Sequence, residues 1–465
     1  MARGHKVWLV SAAVCLAVSG VVVATAGPAG ATNVSTEAAL RAAFGNAAET
    51  KIDLDADIEL SDCGDNALDV TRISDTDLTL DGHGHTIRQT CPIRVFEMTG
   101  AGALTVQNVT ITGGDATFNN TQVGGGIAHF GPGLLTVAAS TVTGNKSEGG
   151  GALFGDGGIA IINSTINENS AVYNSAADSE LDITVSGSTI TKNTTSADSA
   201  DASGTIGATG SVTVLNSAIT NNTNANKAAV GSSGPVTIVN STVANNTPDV
   251  GVFSDESVTL VYATVVDNGS GPENEENVVI FNGGGLTSFG SVVAQAKGGA
   301  DNCFIDGGST TSNGFNFSDD DTCGFTNAAQ GDRQNAGDPA LGALGNNGGK
   351  TETRKPSDTS PLKDAIAAAS CKADGAAEIT ADQVGTVRPQ GSGCDVGAVE
   401  VAQAAATTTT TSASSASAPP AASSSSNAKS SSGGAPIALI VLAVLVIGGI
   451  VIALLLRRRR SDEAA

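Results

Sequence analysis

Tryptophan is nearly missing from this chain of 465 residues, and the one present, Trp8, stands in its first apolar run. Tyrosine is limited to Tyr173 and Tyr262. A sugar-binding cleft lined with Trp and Tyr platforms therefore has little to draw on. Arginine is absent between Arg94 and Arg333, where the basic residues are Lys146, Lys192, Lys227 and Lys297. A polysaccharide lyase needs a cation to neutralise the uronate and an Arg or Lys to take the α-proton, and few residues here qualify. Charge is one-sided, with 23 basic against 46 acidic residues and a net of −23. Leaving aside the segment up to Ala31 (two basic) and the segment after Gly434 (four basic, two acidic), 17 basic face 44 acidic residues, a net of −27. That excludes nucleic acid as a natural partner and disfavours other anionic polymers, pectin-like and alginate-like chains included. No C-x-x-C spacing marks a zinc site.

What is present is a repeat. LTVAASTVTGN from Leu135, IAIINSTINEN from Ile159, ITVSGSTITKN from Ile183, VTVLNSAITNN from Val212 and VTIVNSTVANN from Val236 are versions of one phrase. Outlying copies start at Ile52, Leu78, Leu104, Val258 and Leu286. The repeat length is therefore in the twenties, about 26 on average, and such a period means a stacked array. Apolar residues alternate with Thr, Ser and Ala, the period of a strand with one buried face, and helical spacing is absent. Each copy holds two short strands joined by a corner that is Asn108, Asn163, Asn216, Asn240 or Gly187. Those residue types tolerate a left-handed backbone. A third strand per turn is expected from the Gly-led segments at Gly124 and Gly149.

Two columns run along the copies. One is Asn145, Asn169, Asn193, Asn222, Asn246 and Asn268; the other is Ser140, Ser164, Ser188, Ser217, Ser241, Ala263 and Ser291. Identical residues in register are what stacked parallel strands produce, with each side-chain amide within reach of its copies above and below. The expected fold is all-β, a right-handed parallel β-helix of about ten turns over residues 51–300, roughly 50 Å long. Residues 32–50, with a Ser or Thr N-cap and Leu40 and Phe44 at helical spacing, are expected to form a cap helix over the first turn.

The ends read as targeting segments. Residues 1–31 combine a basic start, an apolar run and small residues, as a secretory signal peptide does. Residues 404–434 are almost wholly Ala, Ser, Thr and Pro, a stalk. Residues 435–456 are uncharged and long enough to cross a bilayer as a helix, with Arg457 to Arg460 following as a cytoplasmic tail over 457–465. The expected location is a bacterial cell envelope, in a single-pass protein with its ectodomain outside. Cysteine usage agrees with export. Beyond Cys15 there are six, and sequential pairing (Cys63 with Cys91, Cys303 with Cys323, Cys371 with Cys394) staples neighbouring turns.

Three stretches resemble known families. The Gly-His-Gly at His83 is similar to that of polygalacturonases, in which a His sits beside paired catalytic aspartates, but the remaining motifs of that family are missing in the matching order. His83 and His85 fall at a corner between strands, and His129 stands alone on a strand. FNNTQVGGGIAHF from Phe118 and VTGNKSEGGGALF from Val142 resemble the GGAI and FxxN repeats of chlamydial polymorphic membrane proteins, implying a surface rod. NAGDPALGALGNNGGKTETRKPSDTSPLKDA and ADQVGTVRPQGSGCDVGAVE closely resemble the C-terminal part of choice-of-anchor Q domain proteins, departing at Val384, where Arg is usual, and at Thr353 to Lys355. This likeness, within a module at residues 301–403 bounded by disulfides, implies a secreted β-helix protein held at a bacterial surface. No catalytic residue is implied.

Three functions fit. The first is a structural or adhesive surface rod that binds a surface glycan or protein. The alternative is a glycan-active enzyme, lyase or hydrolase, using loop carboxylates such as Asp156, Asp178 and Asp182. The third is a calcium-dependent adhesin, with Asp319, Asp320 and Asp321 as oxygen donors, although they lack the alternating spacing of a calcium loop. Apart from that calcium no cofactor is expected.

Overall fold

The computed structural model describes residues 31–402 except 64–68, 119–120, 197–203, 225–227, 248–249, 270–275 and 372–378. The expected signal peptide, stalk, membrane span and tail lie outside the described residues, apart from Ala31. No helix among the described residues is long and apolar enough to cross a membrane.

The chain winds into a parallel β-solenoid with three sheets. Sheet A stacks twelve strands from Thr32–Val34 to Thr310–Ser312. Sheet B stacks ten, from Ile58–Leu60 to Val292–Ala294, and sheet C ten, from Val70–Ile73 to Cys303–Ile305. Ten stacked strands are nine rises apart, so the coil has about nine full turns, close to the about ten expected. At about 4.8 Å per rise sheets B and C are about 43 Å long and sheet A, with twelve strands, about 53 Å.

Each periodic position of the sequence becomes one column of the core. Leu104, Leu135, Ile159, Ile183, Val212, Val236 and Val258 lie side by side in sheet A, all buried. Their neighbours in the strand, such as Thr136, Thr184 and Thr213, point out, as period-2 alternation requires.

The corners hold the winding. Between sheets A and B one residue per turn adopts a left-handed backbone: His83, Asn108, Ala139, Asn163, Gly187, Asn216, Asn240, Tyr262 and Gly290. Five of these are the Asn and Gly corners named from the sequence, and Gly290 is a sixth of the same types. His83, Ala139 and Tyr262 hold φ of 49°, 48° and 49°, because the strands on either side fix it. The serine after this corner receives the N–H of its counterpart one turn earlier, as in Ser140 N–H to Ser164 Oγ at 3.1 Å and Ser164 N–H to Ser188 Oγ at 3.0 Å.

Between sheets B and C the asparagine column is buried and saturated. Asn169 Nδ2 donates to Asn193 Oδ1 at 3.0 Å and to the carbonyl of Val142 at 3.0 Å, while Asn169 N–H donates to the same Oδ1. The pattern repeats from Asn145 through Asn268. From there the ladder continues through Asn277 and Asn302, which depart from the repeat spacing.

The two ends differ. The helix Glu37–Gly45 is N-capped by Thr36 Oγ1, which satisfies one of the N–H groups the first turn leaves over. It buries Leu40 and Phe44 against the first turns, with Phe44 stacked on Phe96 at 4.8 Å. Residues 32–34, placed with the helix by the sequence, form the first strand of sheet A and pair with Ile52 to Leu54. Arg72, buried, donates to the carbonyls of Phe44, Asn46, Ala47 and Glu49, the acceptors left over where the helix ends.

At the other end the Cys303–Cys323 bridge and Phe325 close the core. The chain then folds back along the flank of the coil instead of covering only its end. Asn240, Thr242, Tyr262 and Thr264 bond to residues 371–398, and Arg354 pairs with Asp267. The outward positions of the last sheet B strands, among them Thr242, Ala244 and Val266, are buried beneath this segment.

Candidate functional site

The disulfides link Cys63 to Cys91, Cys303 to Cys323 and Cys371 to Cys394, with Cα separations of 5.5, 4.8 and 5.8 Å. Each joins chain segments already neighbours in the fold. The polar residues of the C-terminal motif are likewise structural. Arg388 is buried and donates to Glu400 at 2.9 Å and to the carbonyls of Asp395 and Gly397, and its guanidinium lies 4.2 Å from the Tyr262 ring centroid. Asp382 accepts the N–H groups of Val384, Thr386 and Glu400. Gln383 bridges Thr242 of the coil to Thr351. The motif fastens the returning segment to the flank.

Of the loop aspartates, two are engaged by backbone. Asp156 accepts the Gly131 N–H at 3.0 Å, and Asp182 accepts the N–H and hydroxyl of Ser211. The acidic run is similar: Asp319 accepts from Gln295 N–H and Asn302 Nδ2, and Asp320 from Asn302 N–H and Thr322. These carboxylates tie turns together and do not converge on a common point. His129 is buried in sheet C with Nε2 2.8 Å from the Gly102 carbonyl. Burial holds its imidazole below the ordinary range, since the charged form loses its hydration there.

Asp178 is different. Its strand, Ala177–Ser179, lies midway along sheet C, and the outward row there reads Phe154, Asp178, Gly207, Gly231, Phe253, Val279, Phe304. Burial pushes the Asp178 carboxyl up to about 6, with Asn174 Nδ2 donating to it at 2.8 Å and opposing the shift. Loss of hydration disfavours the carboxylate more than this one bond favours it. Asn174 has a left-handed backbone, is buried, and leaves its Oδ1 without a partner. Its amide lies over Gly207, where a Cβ would come within 2.3 Å of Oδ1. The Tyr173 ring covers Gly149 in the same way, at 2.3 Å from where a Cβ would stand, so a side chain at either glycine would have to displace the group lying on it. Burial and the charges of Glu148 and Asp178 raise the Tyr173 hydroxyl.

Toward the C-terminal end the same face carries an aromatic stripe. Phe253, Phe281 and Phe304 meet edge to face, 5.7 Å between successive centroids, and Phe281 and Phe304 are 37% and 43% exposed. Counting tryptophan and tyrosine alone misses this platform. The signal is there, since the three phenylalanines recur at the period of the repeat, one per turn. Phe130 and Phe154 form a second aromatic pair at 5.4 Å near the other end.

One group of metal-ligating atoms converges among the described residues: Asp53, Asp81 and His83, at the first two turns of sheet A, with one donor atom from each within 4.8 Å of the others. Both carboxylates lie beside this His, and Asp81 also accepts hydrogen bonds from Gln107, Asn108 and the His83 N–H.

No curated protein matches the sequence. Two solved structures are similar. L. reuteri 53608 SRRP has 16% identity over 60% of this chain and 98% of that one, with a TM-score of 0.34. Pectate lyase Pel9A has 16% identity over 77% of this chain and 90% of that one, with a TM-score of 0.38. At those values neither likeness bears on function. The family model "Putative pectate lyase-like adhesive domain" matches residues 31–263, just over half of the chain, and covers the helix, most of the corners and Asp178. The chain is a β-helix protein of the cell surface or exterior with a structural, adhesive role, and it belongs to the pectate lyase-like adhesive domain family.

Proposed function

We propose that this protein is a right-handed β-helical rod held at a bacterial surface by residues 435–456 on the stalk 404–434, and that it adheres to uncharged glycans through the outward face of sheet C. The observation that carries the reading is the stripe of Phe253, Phe281 and Phe304. Exposed aromatic rings in a row are what the apolar faces of sugar rings stack against, and they span two rises, about 10 Å. Asp178, Asn174 and Tyr173, on the same face, supply donors and acceptors for hydroxyls. The net negative charge disfavours uronates and so favours neutral polymers. The resemblance of residues 335–400 to choice-of-anchor Q proteins supports surface attachment.

A structural role accounts for most of the residues a lyase would need. Arg72 and Arg94 are both buried, the first on the helix end and the second bound to Glu97 and to the carbonyl of Thr121. One observation favours a second reading. A carboxyl pushed up to about 6 is suited to general acid catalysis, so Asp178 is the residue to test for glycan hydrolysis.

The experiment is a binding and turnover screen of the purified protein against neutral and uronate polysaccharides and host-type proteins. Retention on neutral polymers that is lost in Phe281→Ala/Phe304→Ala, with no new reducing ends, is expected. Binding confined to uronates or to proteins, or turnover abolished by Asp178→Asn, contradicts the reading.

A further inference from the structure

Asp53 and Asp81 are direct partners in neighbouring parallel strands of sheet A. Like charges facing each other across a strand pair are unfavourable, and elsewhere in this column the paired residues are uncharged, as with Gln107, Ala138 and Ile162. Here a lysine and an imidazole face the two carboxylates. His83 Nε2 lies 3.2 Å from Asp53 Oδ1 and Lys51 Nζ 3.0 Å from the same oxygen, while His83 Nδ1 is 3.8 Å from Asp81 Oδ1. That Asp53 oxygen is out of solvent and accepts no hydrogen bond of good geometry. Asp81 accepts from Gln107, Asn108 and the His83 N–H, which fix the direction of its carboxylate.

The histidine itself is the exception at its position. Corner residues one turn on and beyond are Asn, Ala, Gly and Tyr with the same left-handed backbone, and their role is to bend the chain. Asn108, the next corner, does this with φ of 51° against 49° for His83. Imidazole is not needed for the bend. His85, two residues on, pairs separately with Asp57, whose Oδ1 also accepts the Thr86 N–H, and does not join the group.

We infer that Asp53, Asp81 and His83 form a divalent metal site that takes zinc, clamping the first two turns of sheet A. Two carboxylate oxygens and one imidazole nitrogen are a mixed donor set suited to zinc. The nitrogen argues against calcium, which takes oxygen ligands. The separation of 3.2 Å between Nε2 and Oδ1 is close to the edge of a tetrahedron drawn with zinc bonds of about 2.0–2.1 Å. The Lys51 side chain is 44% exposed and can turn into solvent when the ion arrives, and His83, 52% exposed, is open to water. The site is at the corner between sheets A and B, away from the sheet C face.

The test is zinc binding to the full chain, purified without a histidine tag and stripped with chelator, measured by calorimetry with zinc chloride alone. One zinc per chain is expected, with the affinity lowered at least about tenfold in His83→Asn and in Asp53→Asn and unchanged in His85→Asn. His83→Asn keeps the bend, as Asn108 shows, and an unaltered melting temperature without zinc confirms that each variant is folded. Absence of saturable zinc binding in the wild type, or equal affinity in wild type and folded His83→Asn, overturns the assignment.

Discussion

Replacing Arg388 with alanine should detach the returning C-terminal segment while leaving the coil intact. The guanidinium neutralises Glu400, buried with it, and satisfies the carbonyls of Asp395 and Gly397 from beneath the Tyr262 ring. Removing one partner of a buried ion pair strands the other charge and costs about 3–5 kcal/mol. At about 1.36 kcal/mol per tenfold, that is a rise of roughly two to nearly four powers of ten in the opening equilibrium. Amide hydrogen exchange reads this directly. Protection of residues 379–402 should fall by that factor, and protection of the strands from Leu104 to Val243 should hold, since each turn of a solenoid leans on its neighbours. The double variant Arg388→Met/Glu400→Gln, with neither charge, should recover most of the loss. Exchange in Arg388→Ala within about threefold of wild type would refute the assignment of the motif as a fastening.

Other perturbations test the ladder, the end and the titrating groups. Asn193→Ala leaves the N–H and one amide proton of Asn169 without acceptors, and guanidinium unfolding should show a loss of about 2–4 kcal/mol. Cys303→Ser/Cys323→Ser opens a loop of separation 20. That change should destabilise by about 3 kcal/mol, with exchange rising first at residues 303–325. Acidification acts in two directions. The His129 imidazole is held below its ordinary 6.5, so as pH falls through that value the unfolded chain binds the proton first and this group contributes a loss of stability. Asp178, at about 6 in the fold against 3.8, binds its proton in the fold first. It contributes a gain as pH falls through its folded value toward the ordinary one. Unfolding at neutral pH and at a pH between those two values should therefore show that Asp178→Asn loses stability more steeply on acidification than wild type.

The winding was legible because a solenoid writes each contact twice, once in the sequence column and once in space. Asn145 to Asn268 and Leu104 to Val258 are readable as columns since every turn repeats the same environment. Corners at Ala139 and Tyr262 were not, because there the neighbouring strands impose a left-handed backbone that neither residue prefers. The continuation of the ladder through Asn277 and Asn302 breaks the spacing, so no period could find it. The return of residues 336–371 and 379–402 along sheet B was hidden for another reason. Its contacts join residues 141 apart, such as Thr242 and Gln383, and nothing in either segment names the other. The candidate face was half readable. Asp178 stood among the loop carboxylates, yet only the geometry shows that Asp156 and Asp182 are engaged by backbone while Asp178 is raised by burial. The meeting of Asp53, Asp81 and His83 depends on the register of the first two turns, whose strands are the least like the repeat.

The most direct measurement is retention and turnover of neutral polysaccharides by the purified protein, in wild type, Phe281→Ala/Phe304→Ala and Asp178→Asn. An adhesive rod retains polymer without releasing reducing ends, and loses retention in the double phenylalanine variant at an unchanged melting temperature. Release of reducing ends or unsaturated sugars by wild type, abolished in Asp178→Asn, would contradict it.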